Sequence, residues 1–91
     1  MSNLKKVLSN RWDFSLYEST DGNYVIKVIF SEGQYKVDVS RFFMLTAKEI
    51  RHPHNVMKLS ELSEEIRKTY PDFVTKEISK ERFETMRRDI L

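Results

Sequence analysis

The sequence predicts an α+β domain: a three-stranded antiparallel meander with a short N-terminal helix before it and two to three C-terminal helices packed on one face. Three observations carry this. Residues 12–39 hold three β-forming runs, two of them alternating apolar with polar. The only two glycines, Gly22 and Gly33, fall between those runs. Beyond Thr46 the apolar residues recur at helical spacing instead.

Leu4, Val7 and Leu8 have the i, i+3, i+4 spacing of one apolar helix stripe, so a short helix is expected, with Asn10 as its stop. The first strand runs from Trp12 through Phe14 to Leu16. Thr20-Asp21-Gly22 suits a three-residue hairpin loop with Gly22 in the left-handed region. That loop places Glu18 opposite Tyr24, Leu16 opposite Ile26, Phe14 opposite Val28 and Trp12 opposite Phe30, which gathers the large apolar side chains on one face. A two-residue turn at Glu32-Gly33 aligns Phe30 with Tyr35, Val28 with Val37 and Ile26 with Val39. Phe42 to Leu45 either prolong the third strand or turn the chain onto the sheet.

Thr46 and Glu49 have capping-box spacing for a brief helix, which Pro53 limits. His52-Pro53-His54-Asn55 is a break. Leu59, Leu62, Ile66 and Tyr70 then mark a helix ending near Pro71, with Glu61, Glu64, Glu65, Arg67 and Lys68 on its outer face. Ser79 is the N-cap of a last helix, with Ile78 and Phe83 as its hydrophobic staple and Phe83, Met86 and Ile90 as its stripe. Both helices are expected to cover the Trp12, Phe14, Ile26, Val28 and Val37 face of the sheet. The whole of residues 1–91 reads as one domain, a meander at 12–45 and a helical layer at 46–91.

Composition narrows the function classes. The absence of cysteine removes disulfides, thiol nucleophiles and Cys-ligated zinc, and fits a reducing compartment. Residues 1–9 lack the apolar run of a signal peptide and no stretch has membrane-spanning length, so a soluble cytoplasmic chain without a membrane partner is expected. Basic and acidic residues interleave, six against five up to Leu45 and ten against nine from Thr46, which is the pattern of solvated helix faces. His52 and His54 flank Pro53 without further ligands, and no nucleophile-elbow or phosphate-loop pattern is present. No catalytic residue, cofactor site or metal site is therefore assigned, and the expectation is a protein that is not an enzyme.

Two surfaces carry binding expectations. The second face of the sheet holds Tyr17, Val25 and Ile29 ringed by Lys27, Lys36, Asp13 and Asp38, an apolar centre with a polar rim suited to a protein partner or to a second copy of the chain. In the expected register Lys27 lies opposite Asp38. The alternative is nucleic-acid binding through Lys80, Arg82, Arg87 and Arg88 of the last helix, although Glu81, Glu84 and Asp89 alternate with them.

The order helix, three strands, helix resembles the double-stranded RNA-binding fold, but this chain has Ser40-Arg41-Phe42-Phe43-Met44 where that family carries a basic segment. The run from Asp21 to Val39 is similar to small bacterial immunity proteins that neutralise a cognate toxin. That resemblance implies a toxin domain as partner and inhibition by steric, charge-complementary docking. The chain departs from members directed at basic nucleases, which are commonly acidic, in its slight positive charge.

Overall fold

A computed structural model describes residues 4–10, 13–32 and 37–88, with Glu32 and Arg88 described through their backbone alone. Five strands, β1 Leu4–Asn10, β2 Phe14–Ser19, β3 Tyr24–Glu32, β4 Val37–Leu45 and β5 Glu77–Ile78, form one antiparallel sheet in sequential order. Among the described residues four helices accompany it: α1 Ala47–Ile50, α2 Val56–Lys68, α3 Tyr70–Phe73 and α4 Lys80–Arg88, with one 3-10 turn at Val74–Lys76. The class is α+β. Expectations that rested on Trp12, Gly33, Tyr35, Lys36 and Ile90 lie outside the described residues.

The N-terminal segment is a strand, not a helix. β1 pairs with β2, and its register shifts between Lys6 and Leu8. A bulge of this kind inserts one residue and resets the alternation. Leu4 therefore packs with the apolar cluster on one face, while Val7 and Leu8 both pack on the other. Adjacent apolar residues on one side imitate helical spacing, which explains the mistaken expectation. With a strand here, the order that resembled the RNA-binding fold is also absent.

The first hairpin has the expected register, with Phe14 opposite Val28, Leu16 opposite Ile26 and Glu18 opposite Tyr24. Gly22 sits at φ 89°, its N–H donates to the Ser19 carbonyl at 3.1 Å, and Ser19 N–H donates to Asn23 at 2.8 Å. The second hairpin differs. Phe30 lies opposite Val39, Ile26 opposite Phe43 and Tyr24 opposite Leu45, a shift of four residues from a two-residue Glu32-Gly33 turn. An even shift leaves every side chain on its expected face, so alternation cannot tell the two registers apart. The longer pairing wins by placing the apolar run Phe42 to Leu45 inside the sheet beside the central strand.

Helices cover both faces, which replaces the expectation of a single covered face. On one face Phe14, Leu16, Ile26, Val28 and Phe43 pack with Ile50, Leu59 and Ile66 from α1 and α2. On the other, Tyr17, Val25 and Phe42 pack beneath Phe83 and Met86 of α4. The capping box at Thr46 and Glu49 forms, and Ser79 Oγ accepts from Arg82 N–H at 3.0 Å at the start of α4. Asn55, an N-cap the spacing did not single out, accepts from Lys58 N–H at 3.1 Å and starts α2. α2 stops at Lys68 instead of continuing to Tyr70, because Pro71 has no N–H for the helical ladder and its ring clashes with the preceding turn.

Among the described residues, no helix is long and apolar enough to cross a membrane.

Candidate protein-binding surface

The second sheet face divides into a covered half and an open half. Over the covered half, the Phe83 ring meets Tyr17 edge-on at 5.0 Å and stacks on Phe42 at 4.2 Å. Tyr17 and Val25, expected at the centre of an exposed patch, are thus buried under the protein's own last helix. Lys27, Ile29 and Asp38 belong to the open half, beside Ser15, Ser31 and Ser40. The register shift also separates the expected charge pair: Lys27 lies opposite Phe42, and Asp38 opposite Ser31, whose hydroxyl donates to it at 3.3 Å. Lys36 lies outside the described residues.

Where the open half meets α2, a half-buried polar clamp fixes the two together. Ser60, Ser63 and Arg67 recur at i, i+3 and i+7, one residue on from the apolar stripe of Leu59, Leu62 and Ile66, so they flank the buried side of the helix. Both serine hydroxyls donate to the Asp13 carboxylate at 2.6 Å, and the Arg67 guanidinium pairs with it at 2.6 Å. Arg67 also donates to the carbonyls of Ile29, at 2.7 Å, and Asp13, at 2.8 Å, closing the end of the β2–β3 ladder. Arg67 therefore points inward, against the expectation that it lies on the outer face of the helix. Burial pushes the Asp13 carboxyl up, but the two hydroxyls and the guanidinium outweigh it and hold its pKa below the ordinary 3.8.

Beside this clamp runs an open groove of about 990 Å³. One wall is Ile29, Phe30, Ser31 and Asp38 of the sheet; the other is Met57, Glu61 and Glu64 of α2. Met57, Glu61 and Glu64 are spaced by four and three residues, which sets them along one face of the helix. Met57 is 75% exposed, and Val37, next in chain to Asp38, is 61% exposed. Among the described residues lining the groove, the one cation is Arg67, already engaged by Asp13. Asp38 and Glu64 make no ion pair with any described residue. Chemically, the described residues of the groove offer an apolar contact beside the carboxylates of Asp38, Glu61 and Glu64.

Sequence reasoning missed Met57, Glu61 and Glu64 as site residues. The available signal was Met57 itself, a large apolar residue two positions before Leu59 and so about 160° around the helix from it.

The basic residues of α4 do not form one stripe. Lys80, Arg82 and Arg87 are exposed, and the Arg88 side chain lies outside the described residues. Arg82 borders a recess beside Asn23 and Thr75, whereas Arg87 lies over the Tyr17 ring at 5.7 Å and the Phe83 ring at 5.8 Å. With Lys5 and Lys6, Arg87 borders a separate recess of about 630 Å³. His52 and His54 are exposed, and among the described residues no group of three or more His, Cys, Asp or Glu could hold a metal ion. Compared with known protein families, curated proteins and solved structures, the chain matches none.

Proposed function

We propose that this chain is a non-enzymatic protein-binding module that docks its partner in the groove between the end of β3 and α2. The observation that carries the reading is Met57, 75% exposed on the wall of a groove whose two sides are locked together by the Asp13–Arg67 clamp. Covering a large apolar side chain that is left in water recovers hydrophobic free energy, offset in part by the rotamer freedom that Met57 gives up. Ile29 and Asp38, from the patch expected on the sheet, contribute to the same groove. The inhibitor form of this function, neutralising a toxin by steric and charge-complementary docking, is the one that the resemblance to immunity proteins favours.

A tagged-protein capture from native-host lysate, divided into nuclease-treated and untreated halves, tests the reading. A stoichiometric protein retained after nuclease and lost with Met57→Lys supports it. Retention unaffected by a folded Met57→Lys variant moves the docking surface elsewhere. The second reading, nucleic-acid binding, draws on Lys5, Lys6 and Arg87 around the Tyr17 ring, and requires recovery that disappears with nuclease and falls steeply with salt.

A further inference from the structure

We infer that the occupant of the groove is a cationic segment of another protein, two or three Lys or Arg residues around one apolar side chain. The inference rests on the protein-binding reading above and adds the chemistry of the partner.

Charge sets the class. Of the ionisable side chains among the described residues lining the groove, Asp13 and Arg67 neutralise one another, which leaves Asp38, Glu61 and Glu64. Lys58, the described cation nearest Glu61, stands 4.0 Å from it with both side chains mostly exposed, a pairing that water and salt screen. Three carboxylates around one recess repel each other until a cation enters, and they raise the local concentration of cationic partners before contact. The same field repels phosphate polymers, so nucleic acid is the wrong class for this groove even though the chain as a whole is slightly basic. Arg suits such a rim because its planar fork pairs with a carboxylate through two hydrogen bonds.

Shape and polarity set the rest. At about 990 Å³ and open along its length, the groove admits several side chains of a segment, not a single ion. Met57 and Ile29 both line it, and a thioether adapts to an aliphatic or aromatic side chain laid against it. A partner with charge alone leaves that apolar surface wet; one with an apolar residue alone leaves the carboxylates unpaired.

Selection of a random peptide library on the immobilised wild-type chain tests this, with E61K/E64K and Met57→Ala variants as counter-targets after their folding is verified by circular dichroism. The expected result is enrichment of peptides combining Lys or Arg with one large apolar residue. Their affinity should fall at least about tenfold on E61K/E64K, several-fold on Met57→Ala, and further as salt is raised. Enriched peptides that are acidic, or basic peptides that bind E61K/E64K as well as wild type, overturn the cationic occupant while leaving a binding module in place. Self-association that is abolished by E61K/E64K assigns the groove to a second copy and likewise overturns it. The absence both of peptide enrichment and of a nuclease-resistant partner from lysate removes this inference together with the function it rests on.

Discussion

Asp13 shows how one side chain ties distant parts of the chain together. It lies 47 and 50 residues from Ser60 and Ser63 and 54 from Arg67, and its carboxylate receives all three. Removing one partner of such a pair leaves the rest desolvated and unmatched, so Asp13→Ala should cost about 2–4 kcal/mol, read as a lower urea midpoint at neutral pH. The acid dependence has a definite sign. The folded-state pKa is below the ordinary 3.8, so the unfolded chain binds more protons in that range. The stabilisation is complete above about 3.8 and is lost as pH falls through the folded value. Asp13→Asn should therefore be less stable than wild type at neutral pH, and the gap in urea midpoint should close as the acid range is entered; a constant gap would show that the charge is not the source. Asp13 was expected within the first strand as a polar residue; it lies in the turn just before β2 instead, and its partners were not legible. Serine and arginine on a helix flank read as solvated until the packing angle of the helix is known.

At the scale of the element, strands and caps followed from local chemistry wherever that chemistry was unambiguous. Gly22 illustrates this. A Cβ there would meet nothing within 4 Å, so the demand for glycine comes from the backbone at φ 89° alone. Gly22→Ala should cost about 1–2 kcal/mol, with the hairpin register retained in amide exchange patterns. The first hairpin, the Thr46 capping box and the Ser79 start of α4 were all readable because each rests on residues within a few positions of one another. β1 was not, since a bulge doubles an apolar position and mimics the helical period. Nor was the second hairpin's register, because two alignments differing by four residues bury the same face and only the tertiary gain from Phe42 to Leu45 separates them. Part of the candidate site was legible in the same sense: Ile29 and Asp38 were assigned to the correct face of the sheet though Asp38 to the wrong register, while α2's wall depends on how that helix crosses the sheet's end.

Across the whole molecule, the decisive arrangement is a sheet covered on both faces but over only part of the second. α4 buries Tyr17 and Val25 and leaves Ile29 and Asp38 at the open end, where α2 and the sheet form the groove. Phe83 holds that arrangement through its contacts with Tyr17 and Phe42. Phe83→Ala should lower stability by about 3–5 kcal/mol and increase binding of a hydrophobic dye as the covered half opens. An unchanged dye response would mean that α4 does not shield the sheet. The division of one face into two halves was beyond the sequence, because amphipathic helices carry no label for the face of the sheet they choose. The most direct test of the protein-binding account compares wild type with Met57→Lys in nuclease-treated lysate capture, with the fold of both verified. A stoichiometric protein partner on wild type and its loss on Met57→Lys are expected. Equal recovery of that partner by the two proteins would contradict docking in the groove.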